Sequence, residues 1–230
     1  MKVMKFGGTS VGRPERMHHI AGLVTQQQEP VVVVLSALSG TTNALVEIGT
    51  LMTAGKQEEA RQAIDKLEKH YHQFISELVS KPVYFAKAKE VVDEHFEFLR
   101  IILKISFSEA LSKDILAQGE LLSTKLFCVY LQESGIDHRF LPALDFMRID
   151  EYDEPSIPFL QEKLSTLLDA HKNCKLFVTQ GYICRNARGE VDNLKRGGSD
   201  YTASLVAAAI KASVCEIWTD IDGYRQIQTY

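Results

Sequence analysis

The sequence predicts an α/β fold with a mostly parallel central sheet, and three observations support this prediction. Short apolar runs that are typical of buried strands alternate with segments of helical periodicity. Several of these strands end in loops rich in Gly, Ser, Thr or Asp. The 230 residues, 45% of them hydrophobic, suit one large globular domain or two small ones.

The first elements follow from residues 2–43. Lys2–Phe6 is predicted to form a strand that ends at Gly7. Pro14 suits the first turn of a helix, because its fixed φ angle matches helical geometry. The β-branched run Val31–Leu35 predicts a strand buried on both faces, and the small polar loop 36–43 follows it. This order of strand, helix and strand is typical of a parallel sheet.

The character of the sequence changes over residues 44–116. Glycine becomes scarce and good helix formers dominate, with one interruption at Pro82. We therefore predict a helical insertion over 44–116. Gln118-Gly119-Glu120 is then expected to open a further helix that runs to about Glu133, which would place Glu120 in its first turn.

The alternating pattern resumes in the last third of the chain. A short strand is expected near 139–142, a helix around 160–168, a strand at 175–179, a helix at 201–212 and a strand at 214–219. In open α/β sheets, ligands bind outside the carboxyl ends of the strands. We therefore expect the polar loops to face one crevice: 7–10, 36–43, 180–182, 196–200 and 219–223.

Composition excludes several classes of protein. The net charge of −4 provides no basic surface for nucleic acid. The longest apolar runs are too short to span a bilayer, and the N-terminus does not have the pattern of a signal peptide, so we expect a cytoplasmic protein with no membrane partner.

The four cysteines lack zinc-site spacing and are expected to be reduced. His18-His19 and His70/His72 lack the i, i+4 spacing of helix metal ligands, and we expect them to be solvated.

The segment from Lys5 to Ser10 is the first candidate phosphate site. Two glycines after a strand allow backbone N–H groups to approach an anion, and Lys5 adds a positive charge. A simple glycine turn beside a solvated lysine explains the same residues equally well. The Walker A loop and the Rossmann GxGxxG motif are both absent.

The segment Arg196-Gly197-Gly198-Ser199-Asp200 is the second candidate. The planar guanidinium of Arg196 suits a carboxylate, and the glycines allow close approach of the backbone. Ser199 or Asp200 alone would be explained as a helix cap. By itself, Glu120 is explained by the preference of acids for a helix N-terminus. The acids around Gly223 would suit a ribose, a base or a metal, or simply a turn.

Five segments in order resemble the aspartate kinase family, and the resemblance extends from residue 2 to about 223. They are KFGGTS at 5–10, SALSGTTN at 36–43, QGE at 118–120, RGGSDYTA at 196–203 and WTDIDG at 218–223. The resemblance implies a three-layer α/β/α sandwich of the amino-acid-kinase type. It also implies transfer of the γ-phosphoryl group of Mg²⁺-bound ATP to the β-carboxylate of L-aspartate, the first step of lysine, threonine and methionine biosynthesis.

The same resemblance implies roles for individual residues. Lys5 and Asp200 would be catalytic, and Asp200 would organise Lys5 and the metal. The residues that would bind phosphate or ATP are Lys5, Gly7, Gly8, Thr9, Ser10, Thr219, Asp220, Gly223 and Tyr224. The residues that would bind aspartate are Ser36, Ala37, Thr42, Glu120, Arg196, Gly198 and Ser199. Glu120 would receive the ammonium group, and Arg196 would hold the α-carboxylate.

The sequence departs from the family near its end. The Asp-Pro-Arg that normally follows the nucleotide loop is missing after Tyr224. We therefore expect residues 1–230 to form a catalytic domain that is incomplete at its C-terminus, with no ACT domain. Two alternatives stay open: an inactive amino-acid-binding or oligomerising fragment, and another amino-acid kinase of the same superfamily. The resemblance also leaves a homo-oligomer open.

Overall fold

A five-stranded parallel sheet forms the centre of the molecule in the computed structural model, which describes residues 1–105, 108–195 and 197–219. The strand order is β3-β4-β2-β1-β7, and every pairing in this sheet is parallel. Its strands are β1 (Lys2–Phe6), β2 (Val31–Leu35), β3 (Arg139–Phe140), β4 (Leu176–Gln180) and β7 (Cys215–Trp218). Two further strands among the described residues, β5 (Ile183–Arg185) and β6 (Val191–Asn193), form a separate antiparallel hairpin that the sequence did not predict.

The carboxyl ends of the four longer strands lie side by side. Phe6 pairs with Leu35 on one side and with Trp218 on the other, and Leu35 pairs with Gln180. The loops that follow these strands therefore start from the same edge of the sheet. This register places loops 7–10, 36–43 and 180–182 at one edge of the sheet, as parallel order predicts.

Helices cover both faces of the sheet. They are α1 (Gly8–Val11), α2 (Pro14–Thr25), α3 (Thr41–Thr53), α4 (Gln57–Leu78), α5 (Pro82–Leu103), α6 (Glu109–Glu133), α7 (Ala143–Phe146), α8 (Ile157–Asp169) and α9 (Gly198–Ala209). Pro14 and Pro82 each stand at the start of a helix, where the missing N–H has no intrahelical acceptor.

Two hydrophobic cores lie on opposite faces of the sheet. Along β2, Val31 and Val33 contribute to the core beneath α2 to α6, whereas Val32 and Val34 contribute to the core beneath α7 to α9. This alternation is the period-two pattern of a strand covered on both faces. The arrangement is the expected three-layer α/β/α sandwich.

The prediction for α6 was wrong about where the helix begins. The helix starts at Glu109, and the hydroxyl of Ser108 caps it by accepting a hydrogen bond from the amide of Leu111 at 3.3 Å. Glu120 consequently lies in the middle of a 25-residue helix and not in a first turn. The helix macrodipole, which acts mainly at the first and last turns, therefore does not explain this acid.

The described helices and the cysteines can be compared with the expectations from composition. None of the described helices has both the length and the apolar character needed to cross a bilayer. The four cysteines, all within the described residues, carry free thiols.

Candidate active site

A cavity of about 450 Å³ opens at the carboxyl edge of the sheet. Its lining combines the ends of β1 and β2 with the middle of α6 and the start of α9. The described residues that line it are Lys5, Ser36, Ala37, Thr42, Glu120, Tyr182, Gly197, Gly198, Ser199 and Asp200. All of these except Tyr182 and Gly197 were predicted to be site residues. The fold thus brings into one cavity residues that are far apart in the chain.

Lys5 and Asp200 form an ion pair in this cavity. The Nζ atom of Lys5 lies 2.7 Å from Oδ1 of Asp200. Lys5 belongs to β1, an interior strand of the sheet, and is buried, whereas Asp200 is exposed in the first turn of α9. A buried ammonium group needs a partner to offset the loss of water, and Asp200 provides it. Asp200 thereby holds the ammonium group of Lys5 at a defined place in the cavity.

Two glycines allow the segments around Ala37 to pack closely. A Cβ atom at Gly8 would lie 2.9 Å from the carbonyl oxygen of Ala37, and one at Gly119 would lie 2.8 Å from the Cβ of Ala37. Real Cβ atoms are almost never found at such short distances. Glycine is therefore required at both positions if α1, the 36–42 loop (which includes the first two residues of α3) and α6 are to meet at the cavity.

Glu120 is a buried acid with one unpartnered oxygen. The side chain is 4% exposed, and its Oε1 accepts a hydrogen bond from the amide of Ala37 at 3.4 Å. Its Oε2 has no hydrogen-bond partner among the described residues. Burial raises the pKa of Glu120 to about 8, because a carboxylate loses hydration in the protein interior. A buried, unpartnered carboxylate oxygen in a ligand-sized cavity is suited to a cationic group.

Tyr182 lines the cavity in a strained conformation. Its φ of +66° lies in the left-handed region that non-glycine residues seldom occupy. The backbone is held there because the amide of Tyr182 donates to Oγ1 of Thr202 at 3.0 Å and its carbonyl accepts from the amide of Leu194 at 2.7 Å. Burial raises the pKa of Tyr182 to about 12, so the phenol is neutral at physiological pH. The feature of the sequence that points to Tyr182 as a cavity residue is its position in loop 180–182, directly after a buried strand.

The predicted phosphate loop lies beside the cavity and not among the described lining residues. Gly7 precedes α1, and Gly8, Thr9 and Ser10 lie within this four-residue helix. A Cβ atom at Gly7 would be 3.4 Å from Nζ of Lys5, which places the loop next to the cation. Thr219, directly after β7, is exposed. The predictions for Arg196, Asp220, Gly223 and Tyr224 lie outside the described residues.

A group of possible metal ligands lies away from the cavity, between α4 and α5. Oxygen and nitrogen atoms of Glu68, His72 and Asp93 lie within 4.8 Å of one another. Glu68 already forms a bidentate pair with Arg100, and Asp93 pairs with Lys89. These cations compensate the carboxylates, so the group acts as an interhelical ion-pair network. His72 is half-buried in it, and the prediction that this histidine is solvated was therefore only partly right.

Comparison with known proteins agrees with the fold. The profile of the amino acid kinase family matches residues 1–224. The lysine-sensitive aspartokinase 3 of Escherichia coli (strain K12) is 35% identical over 225 residues, which cover 96% of this chain and 49% of that protein. The chloroplastic aspartokinase 2 of Arabidopsis thaliana is 33% identical, with 96% of this chain and 42% of that protein covered.

A solved aspartokinase structure also matches this chain. The crystal structure of E. coli aspartokinase III in complex with aspartate and ADP matches with a TM-score of 0.80 and 32% identity, covering 97% of this chain and 50% of that chain. The present chain therefore spans about half the length of these relatives. The profile match covers nearly all of its residues, and eight of the predicted site residues line one cavity of the expected three-layer fold. The chain belongs to the amino acid kinase family.

Proposed function

We propose that this chain carries out aspartate kinase chemistry, transferring the γ-phosphoryl group of ATP to the β-carboxylate of L-aspartate. The observation that carries the proposal is the presence, in one cavity, of the buried unpartnered carboxylate of Glu120 and the Lys5–Asp200 ion pair. The aspartokinase relatives, one of them solved with aspartate and ADP, support it. The product would be 4-phospho-L-aspartate, the first intermediate towards lysine, threonine and methionine.

The amino-acid side of the cavity suits aspartate. Glu120 would accept the substrate ammonium group, which would satisfy its free oxygen and stabilise its ionised form. Ser36, Ala37, Thr42, Gly198 and Ser199 also line the cavity and would contact the amino acid. Arg196, by its place in the sequence next to Gly197, is proposed to hold the α-carboxylate. One fixed anion and one fixed cation would then orient the amino acid and direct its β-carboxylate.

The reaction needs positioning and charge stabilisation more than proton transfer. The β-carboxylate is ionised at neutral pH, so its oxygen can attack the γ-phosphorus without a general base. A new O–P bond forms to the carboxylate while the bond to the β,γ-bridging oxygen breaks, and ADP leaves with that electron pair. Lys5, held by Asp200, would stabilise the negative charge that accumulates on the phosphoryl oxygens.

The nucleotide side is proposed from residues beside the cavity. Gly7, Gly8, Thr9 and Ser10 are next to Lys5 and would approach the phosphates. Thr219 follows the neighbouring strand, and Asp220, Gly223 and Tyr224 continue that segment in the sequence. Mg²⁺ commonly binds to one or two carboxylates together with substrate phosphates, and the exposed carboxylate of Asp200 fits that requirement. When bound there, Mg²⁺ would neutralise phosphate charge.

The test is production of aspartyl-hydroxamate from aspartate, ATP and Mg²⁺, since hydroxylamine traps an acyl phosphate. We expect product with aspartate but not with glutamate, and a loss of about 10²–10³-fold in Lys5→Ala. Lys66→Ala, which removes an exposed lysine of α4, is the matched control and should retain the wild-type rate.

Three outcomes would contradict the proposal. Equal hydroxamate formation by the wild-type chain and Lys5→Ala would show that the cavity does not carry out the chemistry. Preference for glutamate would instead favour another amino-acid kinase of the superfamily. Calorimetric binding of aspartate with no hydroxamate formed would favour the amino-acid-binding fragment.

A further inference from the structure

Tyr71 is a fully buried tyrosine whose hydroxyl reaches a loop of the cavity. It belongs to α4, is 0% exposed, and packs its ring against Phe96 with the ring centroids 5.7 Å apart. Its hydroxyl is hydrogen-bonded to Oγ1 of Thr41 at 3.0 Å, and either oxygen can be the donor. If α4 needed only an aromatic ring here, phenylalanine would serve without the cost of burying a polar atom.

Thr41 is adjacent to residues that line the cavity. It is the first residue of α3 and precedes Thr42, which lines the cavity. Its Cγ2 methyl would be 3.4 Å from a Cβ atom at Gly119, the residue before Glu120. The carboxylate of Glu120 is close enough that its charge adds to the effect of burial in raising the pKa of Tyr71 above the ordinary value. The Tyr71–Thr41 pair is therefore next to the proposed aspartate contacts.

Hydrogen bonds to side chains of α6 and α4 fix the 36–42 loop at two points. At one end, the amide of Ala37 donates to Oε1 of Glu120. At the other end, Thr41 is bonded through its side chain to Tyr71 and through its amide to the carbonyl of Leu38 at 3.0 Å. Tyr71 is not among the described residues that line the cavity, and its hydroxyl is linked to the cavity wall through the hydrogen bond to Thr41.

We propose that Tyr71 is a positioning residue, which uses its hydroxyl to fix Thr41 and thereby holds the 36–42 loop in the conformation that receives the amino-acid substrate. This role rests on the proposed aspartate-binding function. It also connects α4, a helix of the predicted insertion, to the site: a change in how α4 packs would be transmitted through one hydrogen bond to Thr42.

The test is calorimetric binding of aspartate to the 230-residue chain and to Tyr71→Phe, which removes a single oxygen atom. Loss of one buried hydrogen bond is expected to weaken aspartate binding about fivefold. Thr41→Val should weaken it by a similar factor. The double variant should bind no more weakly than either single variant, because the two hydroxyls act through the same bond.

The matched control is Tyr84→Phe, a tyrosine of α5 that packs against Lys81 and Lys87. It should leave aspartate binding unchanged. Equal affinities of the wild-type chain and Tyr71→Phe, or additive losses in the double variant, would overturn the inference.

Hydrogen exchange on the ligand-free chain separates this inference from the proposed function. Tyr71→Phe should raise amide exchange at residues 36–44 and leave the middle of α4 protected. If the wild-type chain does not bind aspartate, the proposed function fails, and unchanged exchange at 36–44 would then overturn the positioning role independently. General destabilisation would instead raise exchange throughout α4, which would also contradict a role confined to the loop.

Discussion

Lys5 and Glu120 both line the cavity and are both buried, but their charges are compensated differently. Lys5 has an ionic partner in Asp200, whereas one oxygen of Glu120 lacks a partner in the part of the chain that the structure describes. An ionised group that is buried without a partner shifts its pKa towards the neutral form. Below about pH 8, Glu120 is thus mainly protonated when the site is free, and a cationic ligand would favour its ionised form.

This difference predicts a pH dependence of aspartate binding. Burial raises the pKa of Glu120 from an ordinary value of 4.5 to about 8, and a bound ammonium group should lower it again. Below pH 8, aspartate binding should therefore release a proton, and the affinity should rise with pH and level off above about 8. Calorimetry in buffers of different ionisation enthalpy measures the proton release. In Glu120→Gln, binding should be weaker and the proton release should disappear.

The raised pKa of Glu120 should also make the stability of the ligand-free chain depend on pH. Between pH 4.5 and about 8, folded Glu120 keeps a proton that the unfolded chain has lost. The contribution of this group to the free energy of unfolding is therefore greatest below pH 4.5 and falls as the pH rises towards 8. Denaturant unfolding of Glu120→Gln should lack this fall. A pH dependence identical to that of the wild type would show that Glu120 is not the group that titrates.

At the scale of elements, α6 connects the cavity to the helices that surround it. Its middle carries Glu120, and its last residue, Glu133, holds the beginning of α5. Oε1 of Glu133 accepts hydrogen bonds from the amides of Ser80 and Lys81 at 2.9 Å and 2.5 Å, just before that helix starts at Pro82. A carboxylate at this place satisfies amides that have no intrahelical acceptor and complements the helix macrodipole.

Glu133→Ala is expected to lower the free energy of unfolding by about 1–3 kcal/mol, because two amides lose a charged acceptor in a largely buried place. Denaturant unfolding measures the change. Glu97→Ala, which removes an exposed acid of α5, is the control and should stay within about 0.5 kcal/mol of the wild type. Equal unfolding midpoints for the two variants would contradict the capping role of Glu133.

The central part of α6 also shows why its start was misplaced. Glycine is a poor helix former, so Gln118-Gly119-Glu120 looks like a helix start in the sequence. Gly119 is nonetheless in the middle of the helix, because a Cβ atom there would meet the Cβ of Ala37 at 2.8 Å. The glycine is required for contact with a loop about 80 residues away in the chain. Local propensity contains no information about such a contact.

At the scale of the whole molecule, the sheet separates two cores but also connects them. Neighbouring residues of β2 point into opposite cores, so loss of either core would disturb the same strands. Phe177 belongs to the core beneath α7 to α9, and Leu126 to the core beneath α2 to α6. We therefore expect both cores to unfold together.

Phe177→Ala and Leu126→Ala should each create a cavity and cost about 3–5 and 2–5 kcal/mol, respectively. In both variants, near-UV and far-UV circular dichroism should report one coincident transition during denaturation. Val83→Ala is the control, since Val83 is 67% exposed. Two separate transitions in either variant would show that the cores are independent folding units.

Local sequence signals were sufficient for most of the elements and for much of the site. The runs Lys2–Phe6 and Val31–Leu35 are apolar because both strands are covered on two faces. Parallel order then placed the loops after these strands at one edge. The resemblance to aspartate kinases, together with this order, assigned Lys5, Ser36 and Asp200 to one site before their distances were known.

By itself, the sequence therefore determined the α/β class, the crevice at the carboxyl edge and the residue types that face it. Only the tertiary structure decided that Glu120 is buried in the middle of a helix, that Tyr182 enters the cavity, and that Tyr71 reaches Thr41. The physical reason is that strands and turns depend on neighbours in the chain. Burial, pKa and side-chain contacts depend on segments that meet only when helices pack against the sheet.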